Sequence, residues 1–304
     1  MIGSAVVYTG LLIAAAGLVF VVKPIHRLHV TTRGQGLAIL GAGVLLAGLG
    51  LSLPTSESRA NKIETRLDEF VPVWQFSERH TIEIDAPPAR VFDAIRRVRA
   101  DEISLFHALT WIRRGGRPLP QTILDAGNRE PIIDVALKGG FVRLADDSVR
   151  ELVIGTVVGA PPGARGQITP AIFKKPLPPG FALAAMNFLV TPEGPNRSIV
   201  VTETRVYANS PGERRKFARY WRLIYPGSAI IRRMWLRAVL GGRLHDAPRS
   251  AVRTRRAGAD SLCGSRYRTG DRAPSGSSRP LIQGASSTGC SRPPILQQSR
   301  TAPE

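Results

Sequence analysis

Two uncharged apolar runs open the chain and constrain it most. Residues 1–22 read MIGSAVVYTGLLIAAAGLVFVV, and residues 36–53 read GLAILGAGVLLAGLGLSL. Each is about as long as a helix needs to cross a hydrocarbon core. A helix without a single ionised side chain over that length is hard to hide inside a small soluble domain, so a transmembrane helical hairpin over residues 1–53 is expected. A cleaved signal peptide is the rival for the first run, but the positively charged start of such a peptide is missing. Gly10 and Ala14, and Gly43 and Ala47, are small residues four apart that would let the two helices approach closely. The basic loop between the runs carries Lys23, Arg27 and Arg33, undiluted by acids and joined by His26 and His29. That charge favours a cytoplasmic loop with both chain ends on the outer side.

Charge excludes less than its total suggests. The 304 residues carry a formal net charge of +19, and Arg outnumbers Lys by 36 to 6. Residues 1–53 contribute +3 with no acidic side chain. The basic residues are spread along the chain rather than gathered in one arm, so no specific nucleic-acid partner is expected, while attraction to anionic lipid headgroups is. The only two cysteines are Cys263 and Cys290. The central region therefore has no thiolate zinc site, no Cys nucleophile and no disulfide framework. No spacing of His or acids suits a metal, and GTVVGAPPGARG lacks the Lys-Ser/Thr ending of a phosphate loop, so no cofactor is expected.

After a polar juxtamembrane connector over residues 54–69, a central domain over 70–243 begins. The stretch HTIEIDAPPARVFDAI starts as a strand over His80–Asp85, with Ile82 and Ile84 on one face. Pro87 and Pro88 end the strand and lead into a helix whose apolar stripe is Val91, Phe92 and Ile95. A second short helix is expected over about 101–111, with Ile103, Phe106, His107 and Trp111, and a further turn or two over 131–138. GGFVRLA and RELVIGTVVG read as strands with the turn at Asp146-Asp147-Ser148. Residues 159–180 read as a loop. FALAAMNFLVTPEG and RSIVVTETRVYA read as a hairpin turning at EGPN. Residues 212–240 form the last helix, which Pro226-Gly227 should kink or divide. Residues 244–304 have no apolar period and abundant Arg, Ser, Gly and Pro, a disordered composition that also reads like an arbitrary GC-rich frame. A frameshift or read-through replacing the ordinary end is the expectation there, against an arginine-rich tail for nucleic acid or anionic lipid.

HTIEIDAPPARVFDAI, GGFVRLADDSVRELVIGTVVG, TETRVYA and FARYWRLIYPGSAIIRRMWLRA, in that order, resemble the SRPBCC superfamily of START-like and Bet v 1-like helix-grip proteins, in an uncharacterised bacterial membrane-anchored branch. The resemblance covers about residues 78–240. It implies an α+β helix-grip fold, an antiparallel curved sheet around a long C-terminal helix, with a cavity between them. Many members hold an apolar or amphipathic ligand there, and some are cyclases or hydrolases. The superfamily has no universal catalytic set, so no catalytic residue carries over.

Six residues are the candidates for ligand contact. Glu203 and Arg205 lie two apart on a strand and share a face with Ile199, Val201 and Tyr207. They read either as a buried pair that orients a ligand headgroup or as an ordinary ion pair on the surface. Tyr220 and Trp221 sit on the last helix, which faces the cavity in this fold. Phe106 and His107 sit on the second short helix, where His107 has no partner acid or nucleophile placed beside it by sequence. The expectation is an integral protein of the bacterial inner membrane whose outer domain binds a hydrophobic small molecule or lipid without catalysis. A polyketide cyclase or dehydratase is the alternative, and an interaction-only membrane protein with a filled interior the third.

Overall fold

The computed structural model describes residues 2–24, 30–119, 122–164 and 168–242. His26, Arg27, His29, both cysteines and the whole of 244–304 lie outside them, and so do the expectations placed on them.

Helices α1 (Ile2–Val22) and α2 (Arg33–Ser52) run antiparallel, side by side. Small residues make the contact. A Cβ added to Gly43 would sit 2.3 Å from the Ala14 backbone nitrogen, and one added to Gly17 would sit 2.3 Å from that of Leu40. The backbones thus touch where no side chain intervenes. Thr32 caps α2, accepting from the Gln35 amide while the Gln35 side chain accepts from the Thr32 amide. The outward faces carry exposed Leu11, Leu12, Leu18, Val19, Leu37, Leu45 and Leu49. Both helices are long and apolar enough to cross a membrane.

The connector is not merely polar linker. It supplies β1 (Ser58–Arg59) and α3 (Arg66–Phe70), and β1 pairs with β2 (Val73–Trp74) in a small sheet. The main sheet has five strands, β3 (Phe76–Ile84), β4 (Val142–Asp147), β5 (Glu151–Gly159), β6 (Ala182–Pro192) and β7 (Ser198–Ala208), in the order β3-β7-β6-β5-β4. All four pairings are antiparallel. Between β3 and β4 come α4 (Pro88–Arg97), α5 (Phe106–Arg113) and α6 (Ile132–Lys138), and α7 (Pro211–Gly242) closes the described chain. An antiparallel sheet with one long C-terminal helix lying over it is the α+β helix-grip arrangement.

The sequence placed most of these elements, and tertiary contacts moved three of them. The strand before the double proline starts earlier, at Phe76, because β7 offers partners as far as Val206. The second helix begins only at Phe106, after a 3-10 turn over Ala100–Glu102 and a left-handed Leu105 at φ 63°. Asp146 and Asp147 belong to β4 rather than to its turn, since Arg96 and Arg143 hold the first and Arg66 the second. The loop over 159–180 contains a 3-10 turn, Pro170–Phe173, whose Phe173 is buried. Helix α7 is one continuous helix with Pro226 inside it. Proline removes a helix hydrogen bond, but both halves are fastened to the sheet. Phe217 stacks near Phe76 at 5.0 Å, and Trp235 near Phe188 at 5.0 Å.

The largest core lies between the sheet and α4, α6 and the second half of α7, with Ile95, Ile132, Val135, Phe188, Trp235 and Val239 inside it. A second cluster on the opposite face joins Leu67 and Phe70 of α3 to Val153, Leu183 and Phe173. Trp235 is only 2% exposed and is the main anchor of the second half of α7. Trp235→Ala is expected to cost about 3–5 kcal/mol, measured by urea unfolding of the full chain in detergent. A loss well under 1 kcal/mol would mean that the helix is held elsewhere.

Candidate functional site: a cavity under the long helix

Strand alternation gives the sheet two chemically different faces. On the face under α7, register aligns Thr156, Ala184, Val206 and Phe76 in one cross-strand row, and Ile154, Met186, Thr204 and Glu78 in the next. Helix α7 crosses above them and meets the sheet at two aromatic clusters. Phe217 and Trp221 pack on Phe76 at one end, and Trp235 packs on Phe188 at the other. Between the clusters lies a cavity of about 350 Å³. Helix α7 gives it Tyr220, Ile224, Ser228, Ile231 and Arg232, and α5 closes one side with Phe106, Thr110 and Arg113. Ile123, Leu124 and Phe141 complete an apolar wall. The volume falls at the lower end of small-molecule pockets, roughly 300–1,000 Å³.

Polar groups in this region are few and differently employed. At the rim the Arg113 side chain donates to the Tyr220 hydroxyl, from Nε at 2.9 Å and also from Nη2. Beneath α7 the buried Glu78 carboxylate receives two groups, His80 Nε2 at 2.7 Å and the Ser228 hydroxyl at 2.8 Å. Ser228 bonds to Glu78 and not to His80, so this is not the hydroxyl–imidazole contact of a nucleophile and its base. Arg232 is the outlier. Among the described residues its Nη1 is buried with no hydrogen-bond partner, and its Nη2 reaches only the Met186 sulfur at 2.7 Å. Burial pushes its pKa down, with Glu78 opposing the shift and Arg113 adding to it.

The opposite face of the same strands carries a closed polar network. Arg205 Nη1 donates to Asp68 at 2.6 Å and to the Val71 carbonyl at 3.2 Å, and Nε donates to Glu203 at 2.6 Å. The guanidinium lies 3.9 Å from the Trp74 ring centroid. Beside it, Glu151 accepts from the Arg66 amide at 2.8 Å, the Leu67 amide at 3.3 Å and the Asn187 side chain at 2.7 Å. This carboxylate satisfies amides in the first turn of α3 that have no partner within the helix. The connector is thereby fixed to the sheet by groups that leave few polar atoms unmet.

Three of the six residues singled out from sequence line the cavity: Phe106, Tyr220 and Trp221. The other three do not. Glu203 and Arg205 are buried, as one reading of their spacing required, but on the face away from α7. Their neighbours Thr204 and Val206 point into the cavity. Alternation shows which residues share a face and not which face that is. His107 is exposed, bonded to Asn128 at 2.8 Å and edge-on to Phe106. Sequence reasoning passed over Arg232 and Ser228. The signal was present, because Ile224, Ser228, Ile231, Arg232 and Trp235 recur at three- and four-residue steps on one helical face, with two polar residues breaking an apolar stripe.

Fold and cavity together define a helix-grip domain with a partly open, mostly apolar pocket under α7. No protein-family model matches this sequence, and no curated protein does. Among solved structures it is similar to the Zhui aromatase/cyclase from Streptomyces sp. R1128, at 11% identity and a TM-score of 0.24, over 57% of this chain and 96% of that one. It is similar also to the protein TTHA0849 from Thermus thermophilus, at 13% identity and a TM-score of 0.21, over 54% and 97%. The di-domain ARO/CYC BexL from the BE-7585A biosynthetic pathway matches at 15% and 0.23, over 69% of this chain and 58% of that one. At such values these are likenesses only, and the reading of the cavity rests on its own residues.

The Arg205–Asp68 pair predicts acid sensitivity. Burial alone would raise the Asp68 pKa, but hydrogen bonds from Arg205, Thr65 and the Thr65 and Glu64 amides outweigh it and hold the carboxyl below its ordinary value. A carboxyl with a folded pKa below its unfolded one, about 3.9, stabilises the fold above that pH. The contribution is lost as pH falls through the folded value. Asp68→Asn is expected to cost about 1–3 kcal/mol at neutral pH, because Arg205 loses a hydrogen-bonded partner charge in a buried site while keeping Glu203. It should also flatten the loss of melting temperature below about pH 4. Melting curves from pH 7 to pH 3 that fall in parallel for both chains would contradict this.

Proposed function

We propose that this chain is a membrane-anchored helix-grip domain that holds a hydrophobic small molecule or lipid in the cavity under α7, by burial rather than by catalysis. The observation that carries the reading is the cavity itself, about 350 Å³ with mostly apolar walls. Such a volume speaks against an interior filled by its own side chains. On this reading the organisation is a hairpin over 1–53, a connector over 54–69, a ligand-binding domain over 70–243 and a tail over 244–304. The loop of the hairpin faces the cytoplasm and the domain lies on the outer side of the bacterial inner membrane.

Anchoring is supported by two apolar helices whose outer faces are Leu and Val, an exposed surface that water disfavours. It is supported further by how the hairpin meets the domain. Arg222 of α7 donates to the Leu51 carbonyl at 2.6 Å and also to that of Leu53, and the Tyr8 hydroxyl donates to the Leu223 carbonyl at 2.6 Å. The helix that roofs the cavity is the one fastened to the hairpin. A ligand dissolved in the bilayer is then presented at high effective concentration.

The cyclase reading needs titratable groups converging in the cavity. Among the described residues the lining holds Arg113, Arg232 and Tyr220 and no carboxylate or imidazole, which favours binding over acid–base chemistry. Two measurements test the proposal on the full chain. Alkaline carbonate washing of membranes should leave the protein in the pellet, and release to the supernatant would sink the anchor. Native mass spectrometry from detergent should show a reproducible apolar adduct of one mass class. A bare chain that stays bare after incubation with lipid extract would sink the carrier.

A further inference from the structure

We infer that the cavity is built for an apolar molecule bearing a carboxylate, and that Arg232 is the residue that receives it. The inference rests on the cavity reading above and narrows its ligand class. Four observations carry it. Arg232 lines the cavity, and its Nη1 is buried with no partner. Its Nη2 is directed at a thioether sulfur, a weak acceptor. Its guanidinium lies 5.5 Å from the Trp235 ring centroid, a contact that steadies the cation without neutralising it. The buried carboxylate nearby, Glu78, is occupied by His80 and Ser228 and makes no ion pair with Arg232 among the described residues.

An arginine differs from a buried lysine at this point. Lysine escapes an apolar site by losing its proton, whereas a guanidinium stays charged. The fold therefore keeps a partly buried cation in the wall of a pocket, with Glu78 acting on it through space and no carboxylate bonded to it among the described residues. An ionised carboxylate is the matching group, since it offers two acceptor oxygens to the guanidinium fork. The buried arginines Arg205 and Arg222 show what a completed site looks like. Arg205 has Asp68, Glu203 and a carbonyl, and Arg222 has carbonyls at the hairpin end. Among the described residues, Arg232 alone of these three has no oxygen partner. Arg113 at the rim adds a second positive charge on the cavity wall, so an anion gains attraction before it reaches the floor. The modest volume suits one chain or a small fused-ring system rather than a two-chain lipid.

Two acid–ester pairs test this, each read by energy transfer to the probe in nanodiscs from the chain's tryptophans, of which Trp221 and Trp235 line the cavity, with empty nanodiscs as the blank. One pair is cis-parinaric acid and its methyl ester, a single chain. The other is 9-anthracenecarboxylic acid and its methyl ester, a fused ring. At least one acid is expected to bind the wild-type chain ten-fold or more tighter than its ester, and which pair does so identifies chain or ring. Arg232→Met should bring that acid down to the affinity of its ester and leave the ester unchanged, while Arg232→Lys should keep part of the preference. Equal binding of acid and ester in both pairs would overturn the inference and leave the apolar cavity standing. No binding of any of the four would overturn both. Removing an unpartnered charge should leave the ligand-free Arg232→Met melting temperature at or above that of wild type. A marked fall would show that Arg232 is a structural cation and would count against the site. Should that variant not fold, the wild-type acid-to-ester ratio alone decides.

Discussion

Helix α7 is held against the sheet by aromatic contacts at two separate places, and everything that distinguishes this domain follows from the gap between them. Phe217 and Trp221 stand on Phe76 at one end, and Trp235 stands on Phe188 at the other. Rings of that size act as spacers as well as glue. Between them two polar side chains reach down from the helix beside Ile224 and Ile231: Ser228 to Glu78 and Arg232 to Met186. Interiors pack densely when side chains interdigitate. A stretch of helix carrying Ser228 and a slender, extended Arg232 does not fill the space beneath it. The cavity is thus a consequence of where the aromatic residues fall along α7.

The other side of the sheet shows the opposite arrangement. There the polar groups complete one another, and their product is position rather than space. Asp68, Arg205, Glu203, Glu151 and Asn187 fix α3, and with it the segment that leads from the hairpin, to the face away from α7. Buried ion pairs are weak stabilisers in general but strong constraints on geometry when every partner is met. Together with the Arg222 bonds to the end of α2, they leave the hairpin joined to the domain at two places. On the proposed reading, this is how the cavity keeps a fixed relation to the membrane surface.

How much of this was legible in the sequence depended on whether a pattern was local. The two apolar helices, the Pro-Pro entry to α4, the β6–β7 hairpin and the long last helix each rest on a period within one segment, and each was read correctly in kind. The division of α7 expected as one outcome of Pro226 is not seen, because the contacts that fasten its two halves come from Phe76 and Phe188, far away in sequence. The face of Glu203 and Arg205 failed for a related reason. Both faces of β7 are buried, one under α7 and one under α3, so neither reads as solvent side. The residue that decides the matter, Asp68, lies 137 positions from Arg205. Arg232 was different, for its place in an apolar helical stripe was visible, and only the lack of a partner required three dimensions.

The alternation in β7 has a consequence for how this domain can change. Thr204 and Val206 serve the cavity while Glu203 and Arg205 serve the clamp, on a single strand with no residue to spare between the two tasks. A strand that slides by one position exchanges its faces entirely. An inserted or deleted residue after Pro192, if taken up by β7 rather than by the turn, would carry a salt bridge into the pocket and a valine under α3. Apart from Gly194, whose φ of 108° suits glycine, the turn over 193–197 is therefore freer to vary in composition than in length. Lineages of this domain should tolerate substitutions there far more readily than insertions or deletions.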